Sequence, residues 1–358
     1  MSDIGQNARS SGIINTTMQG QVFKIHSDFY YVKSDNEDLI LECKLREVLK
    51  KQKLKIKVGD FVETDKGGAI KKLLKRKNTL ERPCVSNLDM VAVVSSLMEP
   101  DIDYIQLNRY LIFLKYHKIP VLLCFNKDDL MDESELALIK DKIKKIYEPL
   151  GYKTVFTSAL YNDRLDEFKK LIKGKTIAFC GLSGVGKSSI LNALNKSGNL
   201  KTGSVSEKNK RGRHTTRHCE IIEFDKIKII DTPGFSRLTF DFILPKDLGN
   251  LFDEIKKYKT KCKFSDCLHE AKDEGCNVIK NLDKIDSKRY ESYLNFLKEA
   301  KEFKQKVTYE GQKEEDSFKI NQDKNFVKIS SKKRFHSRRK INQATKNLKN
   351  LTGENEDD

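Results

Sequence analysis

Nine consecutive residues, Gly181, Leu182, Ser183, Gly184, Val185, Gly186, Lys187, Ser188 and Ser189, have the types and spacing of a phosphate-binding loop. An apolar run, Thr176–Cys180, precedes them and another, Ile190–Leu194, follows, so the context is strand, glycine-rich turn, helix. Glycines let the backbone wrap until successive N–H groups face phosphate oxygens, and the new helix adds its positive end. Lys187 then reaches the β and γ phosphates, and Ser188 places its hydroxyl on Mg²⁺.

A second set of residues reads a base. The apolar run Pro120–Phe125 ends in Asn126, Lys127, Asp128 and Asp129. A carboxylate in the plane of guanine accepts both the N1–H and the 2-amino protons. Adenine offers neither, so Asp129 selects GTP and GDP over ATP by leaving the wrong base unpaired. Asn126 and Lys127 buttress the loop and cover the base. One strand later Lys153–Phe156 ends in Thr157, Ser158 and Ala159, where the Ala159 N–H is expected at guanine O6. A further strand, Ile227–Ile230, ends in Asp231, with Gly234 and Phe235 after it. Asp231 is expected to hold Mg²⁺ through water, and the Gly234 N–H to sense the γ phosphate.

Between the two phosphate motifs lies the polar, basic stretch Lys208–Arg217, which reads as a switch loop. Thr216 is the favoured residue to complete the Mg²⁺ shell, with Thr215 the alternative. Ras-type enzymes orient the attacking water with a glutamine just after the Asp-x-x-Gly motif. Phe235 occupies that place here, so slow intrinsic turnover is expected. His214 is a candidate for the missing group, although a histidine in such a loop serves equally well as an RNA contact. Finally, Cys262, Cys267, His269 and Cys276 supply three thiolates and an imidazole within fifteen residues, a set suited to one structural, tetrahedral Zn²⁺. The other cysteines are scattered through mostly apolar stretches and read as small core residues.

The elements that must position these groups follow from periodicity. Residues 1–17 are polar and expected to be disordered. Over 18–75, short strand-like runs (Gln21–Ile25, Phe29–Val32, Leu39–Cys43, Leu54–Val58, Phe61–Glu63, Ala69–Leu74) alternate with glycine turns, as in a small OB-type β-barrel. Lysines interleaved with Phe29, Tyr30, Tyr31 and Phe61 suit base stacking with phosphate contact. Residues 76–87 read as a linker. Over 76–240, strands at Leu88–Val94, Pro120–Phe125 and Lys153–Phe156 alternate with helices at Ile102–Tyr116, Glu133–Tyr147 and Asp163–Ile172, the pattern of a doubly wound α/β sheet. A small helical, metal-stapled domain is expected at 241–304, and a basic, flexible arm at 305–358. Within that arm, Lys328 to Asn350 carries nine Lys and Arg and no acidic residue.

The formal net charge of +17 implies a polyanionic partner, nucleic acid or an anionic membrane surface, and no apolar run approaches the roughly 18 residues a membrane span needs. A soluble, cytoplasmic, monomeric protein is expected. The motif order is unusual: Asn126 and Ser158 precede Gly181, whereas in Ras-like GTPases the phosphate loop comes first. A circular permutation accounts for this, and it leads the chain from Gly234 straight into the cysteine-rich region.

Small barrel, permuted motif order and Cys-Cys-His-Cys cluster together resemble the RsgA (YjeQ-type) small-subunit-dependent GTPases over about Met18 to Lys304. The resemblance implies a late assembly factor of the small ribosomal subunit (30S) that binds its rRNA, hydrolyses GTP when the subunit stimulates it, and is released by hydrolysis. The arm after Gln305 lies beyond the resemblance.

Overall fold

The computed structural model describes residues 17–35, 39–52, 54–65, 67–195, 219–231, 238, 240, 242–271, 275–315, 318–320 and 326–328. The N-terminal elements are β1 (Met18–His26), β2 (Phe29–Ser34), β3 (Ile40–Leu45), α1 (Glu47–Lys51), β4 (Phe61–Thr64), β5 (Ala69–Leu73), β6 (Thr79–Leu80) and β7 (Val85–Ser86). Then come β8 (Met90–Ser96), α2 (Tyr104–Tyr116), β9 (Val121–Asn126), α3 (Glu133–Tyr147), β10 (Lys153–Phe156), α4 (Leu165–Ile172) and β11 (Thr176–Cys180). The chain continues through α5 (Lys187–Leu194), β12 (Glu220–Phe224), β13 (Ile227–Asp231), α6 (Pro245–Leu248), α7 (Asp253–Lys259) and α8 (Ser287–Glu315). A short antiparallel hairpin, β14 (Phe318–Ile320) and β15 (Phe326–Lys328), follows.

These elements fall into two compact units. The first comprises the described residues within 1–90, 170–179 and 203–235. In it, β1, β2 and β3 form an antiparallel meander, β3 pairs with β5 in parallel, β5 pairs with β4, and β4 returns to β1. Five strands thus close into a barrel around Val22, Val32, Cys43, Leu45, Ile56, Val62 and Ile70. Met18–Gln21 of β1 close the barrel against β4, which leaves the C-terminal half of β1 with an edge to pair elsewhere. In the same unit β11 lies parallel to β13 (Ile177 opposite Ile229), and β13 forms a hairpin with β12. β12 meets β1 at Lys24 and Glu220, where the two side chains pair at 3.0 Å.

Two segments differ from expectation. Leu54–Val58 forms no strand beyond a single bridge from Val58 to Val85, and side chains satisfy much of the rest. The Lys57 N–H donates to Asp60 Oδ2 (2.7 Å), and the buried Lys57 ammonium donates to Thr79 Oγ1, the Leu80 carbonyl and Glu81. Nor are residues 76–87 a free linker. They carry the β6–β7 hairpin, and Asp60 is gripped there by Arg76 through two bonds of 2.7 Å and by the Ser86 hydroxyl at 2.6 Å.

The second unit comprises the described residues within 91–169, 180–202 and 236–358. Here β8, β9 and β10 are parallel, and their buried apolar runs are what a sheet covered on both faces requires. Asp103 and Asp132 cap α2 and α3 by accepting from Gln106 N and Glu135 N. A second core, including Ile112, Phe240, Leu248, Phe252, Ile255, Phe296 and Leu297, joins α2 to the helices around the cysteine cluster. At that junction Arg109 chelates Glu299 (2.5 and 2.6 Å) over the rings of Phe240 and Phe296. Helix α8 runs on past Gln305, where the sequence placed the start of the arm. Most of that arm, and residues 1–16, lie outside the described residues. Among the described residues no helix is long and apolar enough to cross a membrane.

Candidate nucleotide site and metal centre

The phosphate loop leaves a fully buried strand. Gly181 sits at φ +145°, and a Cβ there would lie 2.1 Å from the Val94 carbonyl oxygen. No other residue fits. Gly184 and Gly186 also have positive φ (84° and 90°), and Gly186 is the residue from which α5 starts, accepting from Ile190 N at 2.9 Å. Lys187, the first residue of α5, folds its ammonium back over the loop and donates to the carbonyls of Gly181 (3.0 Å) and Leu182 (2.5 Å). Burial holds its pKa below the usual lysine value. Ser183, Gly184, Ser188 and Ser189 face solvent, while Val185 is buried.

Asn126, 2 % exposed at the end of β9, joins three motifs. Its Nδ2 donates to the Val185 carbonyl (3.0 Å) within the phosphate loop. Its Oδ1 accepts from Ala159 N (3.1 Å) and from the Thr157 hydroxyl (3.4 Å). A Cβ on Gly186 would reach to 2.1 Å from Asn126 Nδ2, so the last loop glycine and the asparagine are fitted to one another. The Ala159 N–H, expected to be free for guanine O6, is committed to Asn126. A base placed there would have to share that proton or draw it away.

Lys127 takes a left-handed conformation (φ +63°) and donates its ammonium to the Glu99 carbonyl. Asp129 lies half-buried in a short 3-10 turn, Asp128–Leu130. Among the described residues its carboxylate makes no hydrogen bond or ion pair, which leaves it available to a ligand. Ser158 is buried; its hydroxyl accepts from Tyr161 N at 3.2 Å. Asp231 ends β13, where Ile230 already lies opposite Ala178 of the strand that leads into the phosphate loop. Thr216, His214, Thr215 and Gly234 lie outside the described residues. Asp128 and Arg164 are the side chains that the sequence reading passed over. A charged residue at the position flanked by Lys127 and Asp129 was the available signal.

The cysteine cluster is assembled by the loop between α7 and α8. One ligand atom from each of Cys262, Cys267, His269 and Cys276 lies within 4.8 Å of the others. Cys262 Sγ and Cys276 Sγ stand 3.6 and 3.5 Å from His269 Nδ1, and 3.9 Å from one another. Tetrahedral ligation with Zn–S near 2.3 Å and Zn–N near 2.0 Å puts neighbouring ligands roughly 3.5–3.8 Å apart, so the quartet fits zinc. His269 reaches inward from a left-handed backbone (φ +58°), and Tyr290 and Tyr293 hold that turn by donating to the carbonyls of His269 and Leu268. Burial pushes the Cys267 thiol up to about 12 and raises that of Cys276 as well. A dication held among them would supply the charge that makes both thiolates.

A closed barrel, a phosphate loop and a guanine-reading motif placed ahead of that loop in the chain define a permuted GTPase. Family models agree: the RsgA N-terminal domain matches residues 19–69 and the RsgA GTPase matches 71–241. A model described as 50S ribosome-binding GTPase also matches, over 176–309. The small ribosomal subunit biogenesis GTPase RsgA of Clostridium botulinum is 40% identical over 288 residues, covering 79% of this chain and 97% of that one. Its namesake from Agathobacter rectalis is 38% identical over 302 residues, 79% and 98% respectively. Among solved structures, YjeQ from Thermotoga maritima aligns with a TM-score of 0.68 at 33% identity, covering 80% of this chain and 99% of that one. YloQ, described as a circularly permuted GTPase, aligns with a TM-score of 0.67 at 29% identity over 82% and 98%. The chain belongs to the RsgA family of GTPases.

Proposed function

We propose that this chain binds GTP and GDP with Mg²⁺ and hydrolyses GTP as a late assembly factor of the small ribosomal subunit, with hydrolysis stimulated by the subunit and coupled to release. The observation that carries the reading is the bridge at Asn126, one buried amide that ties the phosphate loop to both guanine-reading loops. Only a ligand with a base at one end and phosphates at the other makes use of that arrangement. In this reading Asp129 reads the base, and Gly181 to Ser189 surround the phosphates. Lys187 exchanges its two carbonyl partners for phosphate oxygens, so the cation is already desolvated and positioned when the ligand arrives. Ser188, Thr216 and Asp231 are the Mg²⁺ residues, and the ion neutralises charge building on the β and γ oxygens. Gly234 senses the γ phosphate, and His214 is a candidate for orienting water.

The working division is a barrel at 18–75 that contacts rRNA, a GTPase domain at 76–240 and a zinc domain at 241–304, with a basic arm beyond. The protein acts as a monomer in the cytoplasm. Phosphate release, measured with and without small subunits, tests the activity; a rate that the subunits do not raise refutes the stimulated-GTPase reading. Asp129→Asn tests the base assignment, because an amide pairs with xanthine rather than guanine. Preference is expected to move from GTP toward xanthosine triphosphate, and unchanged GTP preference overturns the assignment.

A further inference from the structure

The residue between Lys127 and Asp129 is a buried acid. Asp128 is 3 % exposed; its N–H donates to the Thr157 carbonyl (3.3 Å), and its carboxylate engages the Arg164 guanidinium, with the Lys140 ammonium 3.7 Å away. Arg164 also holds Asp163 at 2.8 Å. Just inside Arg164, Ser158 and Asp163 exchange both backbone hydrogen bonds (3.0 and 3.3 Å), which closes the segment between them into a loop. Leu160 and Tyr161 stand at the tip of that loop, 72 % and 71 % exposed. Beneath it the Lys140 ammonium lies 5.3 Å from the centre of the Phe156 ring, which stacks on Phe125.

We propose that Asp128 and Arg164 form a clasp that holds the Ser158–Ala159 loop against the Asn126–Asp129 loop and so sets the affinity for the guanine base. The proposal rests on the nucleotide reading above. Asn126 fixes the loops near Ala159, on the phosphate side; the Asp128–Arg164 pair fixes them at the loop's neck. With the clasp cut, Asn126 and the Asp128 N–H still hold the loop's start at Thr157 and Ala159, but its neck at Arg164 loses its side-chain tie and the loop's angle is less fixed.

Stability does not explain the acid. Burial raises its pKa even with Arg164 and Lys140 beside it, so the pair does not repay the cost of desolvation. A buried ion pair of this kind is retained for orientation, and the planar guanidinium fork suits that task.

The test uses the full chain with Asp128→Leu, Arg164→Met and the double variant, titrated with fluorescent GDP and ADP and melted in parallel. Each single variant is expected to bind GDP about tenfold more weakly, with the double variant no worse than either, since one clasp is broken once. The GDP-to-ADP preference narrows, and the loss appears in KM for GTP rather than in the maximal rate. Asp128→Leu holds or gains thermal stability, because it removes a buried charge. Arg164→Met loses stability, because it strands one. Arg164→Lys, which keeps the charge, recovers part of the affinity. Undiminished GDP binding by either folded single variant, or additive losses in the double, overturns the clasp. Asp129→Asn is run beside them. If it too leaves GDP binding intact, the guanine reading itself fails; if it weakens GDP while Asp128→Leu does not, the clasp alone fails.

Discussion

Exchanging one atom of Asn126 tests whether base and phosphates are read by a single rigid unit. Asn126→Asp keeps the shape of the side chain and its acceptor oxygen, so the bonds from Ala159 N and Thr157 Oγ1 survive. It replaces the donor Nδ2 with a second oxygen, 3.0 Å from the Val185 carbonyl. Two acceptors then face each other where only 2 % of the residue is exposed. A buried carbonyl left without its donor costs about 1–3 kcal/mol, and more beside a charge. A loss of about 2–4 kcal/mol from the nucleotide-competent conformation follows, and at about 1.4 kcal/mol per tenfold this is roughly 30- to 1,000-fold in affinity. Equilibrium titration with fluorescent GDP measures it, and a thermal melt establishes that the variant is folded. A folded Asn126→Asp protein that binds GDP within about threefold of the natural chain refutes the reasoning.

Three further outcomes are expected. Metal analysis of the purified chain should find one zinc, and chelation or His269→Ala should expose the Cys262–Cys276 segment to protease; metal-free protein with an unchanged cleavage pattern contradicts the ligand set. Arg289, 2 % exposed, donates to Glu254 (2.6 Å) and Asn108 (2.8 Å), so Arg289→Met strands a carboxylate and should cost about 3–5 kcal/mol in denaturant unfolding. A cost under about 1 kcal/mol would show that Glu254 finds solvent. The Asp128→Leu comparison should also depend on pH. Burial raises the native Asp128 pKa above its unfolded value, so the natural residue favours folding below that unfolded value, and this contribution is lost as pH rises through the native pKa. The variant's stability relative to the natural chain should therefore be greatest near neutrality and shrink as pH falls toward about 4. Melts across that range giving the opposite trend contradict the assignment.

Sequence alone determined whatever depends on residue type at short spacing. Gly181, Gly184 and Gly186 are legible because only glycine takes the φ values of +145°, +84° and +90° that they adopt. The periodicity of 133–147 specified α3, and the short run at 153–156 specified β10, at the limits the structure has. The cysteine quartet was visible because its four ligands lie within fifteen residues. Tertiary structure decided which polar group satisfies which. Asn126 meets a carbonyl 59 residues along the chain, and that contact commits the Ala159 N–H as well. Leu54–Val58 has the alternation of a strand, yet its pairing is confined to one bridge at Val58, while Lys57 and the neighbouring Asp60 find side-chain partners as far away as Glu81 and Ser86. The charge at Asp128 was visible between Lys127 and Asp129 but its role was not, since the cost of burying its carboxylate and the cations that offset part of it exist only after Lys140 and Arg164 have been folded around it. Backbone conformation follows from short-range sterics and periodicity. Pairing among buried polar groups follows from which distant segments exclude water together.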